Sequence, residues 1–152
     1  MIAMRKLILV GLVAAAAVAG WRWLGHGAAP ARGGQATFYD RVWIDHLPRG
    51  ETDPVQIFVA LRREPLGVFQ QTTKWKGSFE AFVHEARGDG ELVITFPQNR
   101  DRERVRYSAA PCGERGFDYC LELRGPSRGV TRYYSKKGWE IKALDETRAL
   151  VF

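Results

Sequence analysis

The chain has 152 residues, of which 45% are hydrophobic and 26% are charged. This is the composition of an ordinary globular protein, long enough for one hydrophobic core and too short for two comfortable domains. The formal net charge of +6 is uneven, because basic residues outnumber acidic ones at the N-terminus and again between 98 and 142. Such a surplus suits contact with anionic lipid headgroups or acidic polymers, and it equally suits a solvated surface.

The N-terminal segment has the pattern of an export signal. Arg5 and Lys6 precede an uncharged apolar run over residues 7–20, which contains a small-x-small site at Ala17–Ala19. We predict that residues 1–24 form one hydrophobic helix, acting as a signal peptide cleaved after Ala19 or as an uncleaved signal anchor. If the signal peptide is cleaved, the protein is expected to be periplasmic or secreted. If it is an uncleaved anchor, the protein is expected to cross the membrane once, with its folded domain outside the cytoplasm.

Two further segments follow this signal. Residues 25–36 are rich in Gly, Ala and Pro and show no apolar periodicity, so we predict a flexible linker. Residues 37–152 contain recurrent turn signals and are predicted to form a single β-domain.

The centre of that domain is the stretch 75–97. Apolar and polar side chains alternate on both sides of residues 87–90, whose glycines accept positive φ angles. This pattern predicts a β-hairpin.

Similar short segments recur along the rest of the domain. The predicted strands cover 38–47, 55–62, 68–75, 78–86, 91–96, 104–109, 117–124, 130–135 and 139–142. No connection between them is long enough for a crossover helix, so the fold class is all-β, an antiparallel meander of about eight strands. Residues 143–152 have helical spacing of apolar side chains and predict a short C-terminal helix, with a final strand as the alternative.

Alternation also predicts which side chains form the core. The expected core residues share one face of their strands: Val55, Ile57, Val59 and Leu61; Val105, Tyr107 and Ala109; Phe117, Tyr119, Leu121 and Leu123. Phe58 and Phe82 point to the opposite face, where they need a cover or form an exposed patch. The C-terminal stretch is a candidate for that cover.

An antiparallel meander of this size with a terminal helix resembles the calycin barrels, which include the lipocalins. The resemblance is one of architecture and covers residues 38–152. It implies a small barrel or strongly curved sheet, and a cavity for a small apolar ligand. The cavity would be lined by the aromatic residues Trp75, Phe79, Tyr107, Tyr119 and Trp139, which could equally be simple core.

Cys112 and Cys120 are the only cysteines, and they bracket the loop 113–116 in a chain with an export signal. We predict a disulfide between them, stabilising the domain by about 2–3 kcal/mol. A turn centred on residues 114 and 115 would put Cys112 opposite Phe117, so the bridge is expected to need a loop centred near Gly116.

No catalytic, metal-binding or cofactor motif is complete. His84 and Glu85 begin a metalloprotease pattern, but position 88 is Gly88 instead of the second histidine. Gly88 and Gly90 lack the third glycine and the helix of a dinucleotide site. The sequence therefore predicts a protein without catalytic activity, cofactor or metal.

One constellation is unusual for its charge. Arg100, Arg102, Arg104 and Arg106 recur at period two, and Arg124 and Arg132 follow on the next predicted strands. In an extended chain the four share one face, which suits binding of phosphates or carboxylates. The alternative is an edge strand protected by charge and partly neutralised by acids such as Glu122.

The leading hypothesis is a non-catalytic binding or interaction module of the cell envelope, with the arginines as its contact surface. Its partner would be an envelope protein or an anionic surface, and nucleic acid is not expected outside the cell. The alternative hypothesis is a calycin-like carrier of a small apolar ligand.

Overall fold

The computed structural model describes residues 34, 37–88, 90–125 and 128–152, with the backbone alone for Arg148. These residues form eight strands, each antiparallel to the next. The strands are β1 (Trp43–Ile44), β2 (Val55–Ala60), β3 (Leu66–Thr72), β4 (Gly77–Ala86), β5 (Glu91–Thr95), β6 (Arg102–Pro111), β7 (Tyr119–Arg124) and β8 (Arg132–Ser135). β1 also pairs with β8, Ile44 opposite Tyr134, so the sheet closes into a barrel.

The predicted fold class is confirmed. The β-domain is an all-antiparallel closed barrel, followed by a 3-10 turn (Leu144–Glu146) and a short helix, α1 (Thr147–Val151). The predicted N-terminal helix (1–24) and nearly all of the predicted linker (25–36) lie outside the described residues. Among the residues that are described, no helix has the length and apolar character needed to cross a membrane.

The predicted hairpin is formed by β4 and β5. Gly88 and Gly90 have φ angles of 65° and 81°, a conformation that glycine adopts without steric cost. Arg87 donates its backbone N–H to the carbonyl of Glu91 over 2.9 Å and closes the turn. Local sequence therefore sets where these two strands end.

The two ends of the domain depart from the predicted strands. The strand expected over 38–47 is only two residues long, because Asp40 adopts a φ angle of 56° and interrupts the extended chain. The ninth strand expected over 139–142 is wrong, since this segment makes only an isolated bridge between Arg41 and Glu140. The bridge is extended by a hydrogen bond from the Val42 N–H to the Trp139 carbonyl, 3.0 Å long.

Aromatic side chains fill the barrel interior. Phe58 and Phe82 are both fully buried there, with ring centroids 5.8 Å apart. Gly67 on β3 makes room for this packing, because a Cβ at that position would lie 2.2 Å from Cζ of Phe82. Tyr133 is also fully buried, and its hydroxyl accepts a hydrogen bond from the Gln56 amide over 3.0 Å.

A second apolar cluster lies on the outside of the barrel. Its members come from β1, β2, β3, β7 and β8 and from the segments next to them: Val42, Ile44, Val55, Ile57, Val59, Leu61, Val68, Phe117, Cys120, Tyr134 and Ile141. Leu144, Leu150 and Val151, in and next to the 3-10 turn and α1, pack against it. We call this outer surface the covered wall.

The predicted core faces are therefore partly wrong. Val55, Ile57 and Val59 point outward into the covered wall, whereas Phe58 and Phe82 point into the barrel. The C-terminal stretch does act as a cover, as predicted, but it covers the aliphatic face instead of the two phenylalanines. β2 is apolar on both faces, so alternation alone does not show which face lies inside.

The predicted disulfide is confirmed, with Cys112 and Cys120 bonded and their Cα atoms 5.6 Å apart. The expected loop centre was wrong. Pro111 pairs with Tyr119, and the Cys112 N–H donates to the carbonyl of Asp118, so the turn centres on Arg115. The bridge is diagonal, joining Cys112 to the residue two positions beyond its direct partner, and both sulfurs lie against the covered wall.

Candidate functional site

The predicted arginine row lies mainly on β6. Buried and exposed side chains alternate along this strand, and Arg102, Arg104 and Arg106 are exposed on the outer face of the barrel. Arg100 is exposed but lies before the strand, in a turn where its φ angle is 64°, so it does not continue the row. Arg124, at the end of β7, joins the row directly opposite Arg106. We call Arg102, Arg104, Arg106 and Arg124 the arginine wall.

Arg106 and Arg124 are the centre of this wall. Each side chain is 79% exposed, and their Cα atoms are register partners in the β6–β7 ladder. Arg106 Nε lies 3.9 Å from the nearest Glu91 oxygen, and Arg124 Nη2 lies 3.3 Å from Glu122. Both arginines line a depression of about 320 Å³, together with Ser108, Glu122 and residues of the adjacent strand and turn.

The remaining predicted arginines are neutralised to different degrees. Arg102 lies 3.8 Å from Glu85, and Arg104 makes no ion pair with any described residue. Arg132 on β8 binds Glu122 at 3.0 Å and also binds Glu114, and these acids keep it out of the wall. The hydrogen bond that Arg132 donates to Glu114 raises the pKa of Arg132.

The edge-strand interpretation of the row is wrong. β6 pairs with β5 on one side and β7 on the other, so it has no free edge to protect. Glu122 does form ion pairs with arginines, as predicted. Its partners are Arg124 on the same strand, β7, and Arg132 on the next strand, β8.

The five aromatic residues of the predicted ligand cavity are not brought together. Trp75 and Phe79 are 65% and 73% exposed, at the β3–β4 turn and on β4. Tyr107 lies in the barrel interior, and Tyr119 packs at its margin with the Arg41 guanidinium 4.2 Å from its ring centroid. Trp139 packs on the outside, against the covered wall.

One charged cluster was missed by the sequence analysis. Arg128, between β7 and β8, binds both oxygens of Glu80 at 2.6 and 2.8 Å and Glu103 at 3.1 Å. Its guanidinium carbon lies 4.1 Å from the ring centroid of Phe96. Alternation could have found the cluster, because Glu80 and Glu103 occupy inward positions on β4 and β6 that an apolar side chain would normally take.

The histidines make local contacts. His46 lies 2.9 Å from Asp45 and 3.2 Å from Asp53, and the N–H of Arg49 lowers the pKa of the Asp53 carboxyl. His84 Nε2 lies 2.9 Å from the Leu61 carbonyl, and burial lowers the pKa of this imidazole. Across the described part of the chain, no group of three or more His, Cys, Asp or Glu side chains is arranged to hold a metal ion.

The fold defines this domain as a small, closed antiparallel barrel with the architecture of the calycins. Comparison with protein-family models, with curated proteins and with solved structures finds no match. A fold of this kind does not by itself define a function, which depends on the side chains of its surfaces.

Proposed function

We propose that the protein is a non-catalytic binding module of the cell envelope that recognises an anionic group through its arginine wall. The observation that carries this proposal is the direct opposition of Arg106 and Arg124 on an open surface. Like charges in directly opposed positions destabilise a sheet, so this pair lowers the stability of the barrel when nothing is bound. A bound phosphate or carboxylate would make the pair stabilising, because the anion accepts hydrogen bonds from both guanidinium groups.

The surroundings of the pair support recognition of an extended anionic surface. Arg104 has no acidic partner among the described residues, and the acids near Arg102 and Arg106 lie 3.8 and 3.9 Å away. Ser108 adds a hydroxyl donor to the depression between the two arginines. On the β7–β8 side of the wall, the carboxylate of Glu122 repels anions. We therefore expect the negative charge of the partner to lie over β6.

The carrier hypothesis receives no such support from the barrel interior. Phe58, Phe69 and Phe82 meet there at centroid distances of 5.0 to 5.8 Å, and Phe38 stacks on Tyr107 at 3.9 Å. An eight-stranded barrel is narrow enough to be filled by its own side chains. This interior has the contacts of a packed core.

Placement in the envelope is supported by the disulfide and by the N-terminal sequence. A bond between Cys112 and Cys120 persists in oxidising compartments, and residues 7–20 have the pattern of an export signal. We expect the protein recovered from its host to be two mass units below its reduced form. A chain beginning near Gly20 would mean export, and an unprocessed chain recovered from membranes would mean a tethered module. Reduced, unprocessed protein in the cytosol would contradict the placement.

The anion test uses the full chain in a neutral detergent, titrated with inorganic tripolyphosphate by calorimetry. We expect binding that weakens as salt is added, and at least a tenfold loss in the double variant Arg106→Gln/Arg124→Gln. Arg63→Gln, which removes an exposed arginine outside the wall, is the matched control and should bind like the wild type. Equal affinity for tripolyphosphate in the double variant and the control would contradict the proposal.

A further inference from the structure

We infer that the end of the barrel closed by Arg128 is a second binding site, for a neutral polyhydroxylated ring such as a pyranose sugar. This end carries a depression of about 290 Å³, lined by residues of β2, β3 and β4 and by Arg128. A volume near 300 Å³ is at the lower end of small-molecule sites. It has room for one ring and not for a lipid chain.

The site is formed where the Arg128 side chain reaches across the barrel opening. Arg128, between β7 and β8, reaches Glu80 on β4 and Glu103 on β6, which lie on different parts of the barrel rim. Arg128 adopts a φ angle of 50°, a left-handed conformation that costs energy for a residue with a side chain. Strain of this kind persists where the surrounding contacts fix it, and it is concentrated at binding sites.

The contacts of Arg128 fix the orientation of its guanidinium group. The two hydrogen bonds to Glu80 are bidentate, and the guanidinium carbon lies over the ring of Phe96. The hydrogen bonds to Glu80 and Glu103 raise the pKa of Arg128, so it stays charged. A rigid donor of this kind is suited to hold a ligand in one orientation.

The balance of donors and acceptors indicates the ligand class. Two carboxylates surround one guanidinium, so the cluster carries an excess negative charge that disfavours anions. Glu80 lines the depression, and among the described residues its carboxylate accepts hydrogen bonds only from Arg128. A carboxylate has about four acceptor positions, so Glu80 keeps acceptor capacity that matches a ligand donating hydrogen bonds, such as a hydroxyl group.

Residues of β3 and β4 at this end of the barrel supply the other groups that a sugar could contact. Gln71 and Ser78 line the depression, and neither side chain makes a hydrogen bond to another described residue. Phe69 and the exposed Phe79 give the same depression aromatic surface. Amide, hydroxyl and carboxylate groups beside aromatic rings suit a sugar, whose hydroxyls need polar partners and whose C–H faces pack against rings.

The test is saturation-transfer NMR on the full chain, held in a detergent without a sugar headgroup. The probes are the methyl glycosides of glucose and N-acetylglucosamine, with methylammonium and methyl phosphate as charged comparisons whose methyl protons can be observed. We expect transfer to the ring protons of at least one glycoside and to neither charged probe. Transfer to methylammonium alone, or no transfer to either glycoside, would overturn the assignment.

Two kinds of variant keep the result interpretable. Glu80→Gln breaks the ion pair and should abolish transfer, but it also removes a contact that orders the loop. Gln71→Ala leaves the pair intact and should weaken sugar binding about tenfold, through the loss of a ligand hydrogen bond. Glu85→Gln, on the outer face of β4, is the matched control and should bind like the wild type.

The same experiment separates this site from the arginine wall. Arg106→Gln/Arg124→Gln should retain sugar binding, because both residues lie outside the depression that Arg128 lines. Unchanged transfer in both Glu80→Gln and Gln71→Ala would show that the sugar binds elsewhere on the protein, and would overturn the proposal.

Discussion

The outside of this barrel has two walls of opposite character. On the covered wall, Ile57 and its neighbours lie beneath the C-terminal segment, so β2 is buried on both faces. On the arginine wall, β6 is buried on one face only, and Arg106 stays in solvent. Both walls are built from the same antiparallel ladder, so the difference lies in the side chains and in what packs on them. The first wall contributes to stability, while the charged side chains of the second remain exposed to solvent.

The largest expected effect is on the covered wall. Ile57→Ala should lower the free energy of unfolding by about 2–5 kcal/mol, because it leaves a cavity in the buried apolar cluster of the covered wall. Urea unfolding followed by the fluorescence of buried Trp43 measures this change. Arg104→Ala on the arginine wall is the matched control and should change stability by less than about 0.5 kcal/mol. Equal losses in the two variants would remove the distinction between the walls.

The disulfide should have the next largest effect. Replacing both Cys112 and Cys120 by Ser should destabilise the domain by about 2–3 kcal/mol, since it releases a short loop whose sulfurs lie against the covered wall. Reduction of the wild type should reproduce the loss, and the double variant should not respond to reductant. Stability that is insensitive to both changes would mean that the rest of the wall holds the loop without the bond.

The inner face of β4 should make the stability of the barrel sensitive to pH, because His84 lies on the same face of this strand as the buried Phe82. Burial on β4 lowers the pKa of His84, so the folded chain keeps this imidazole neutral while the unfolded chain takes up a proton near its ordinary pKa of about 6.5. Stability should therefore fall as pH drops from about 7 to about 5. The slope of unfolding free energy against pH should be smaller in His84→Gln, and an identical slope in the two proteins would contradict this assignment.

The smallest expected effect is a gain in stability when one charge is removed from the arginine wall. Arg124→Gln should raise the free energy of unfolding by about 0.3 kcal/mol at low salt, because it removes the charge opposite Arg106. The gain should shrink as salt screens the repulsion. Thermal unfolding at several salt concentrations tests this, and a loss of stability in the variant would show that the pair is already compensated without a ligand.

Part of the candidate site was accessible from the sequence. Period-two spacing put Arg102, Arg104 and Arg106 on one face, and counting strands brought Arg124 near them. The basic residues that follow the row include Arg128, but its ion pair with Glu80 was not predicted, because Glu80 is 48 residues away in sequence and across the barrel opening. The aromatic residues were grouped by type, and the structure separates Trp75 and Phe79 from Tyr107 because they lie on opposite sides of the barrel wall.

Sequence patterns alone were enough to predict the antiparallel meander, the hairpin around Gly88 and Gly90, and the pairing of the two cysteines. Those features are local, since they depend on side-chain alternation and on residues that accept positive φ angles. The closed barrel was needed to show that β1 meets β8, and that Phe58 faces inward while Ile57 faces outward. It also shows that Arg106 lies opposite Arg124 and that the Arg128 side chain spans one end of the barrel. These outcomes depend on register and closure, and a shift of one residue would reverse every face.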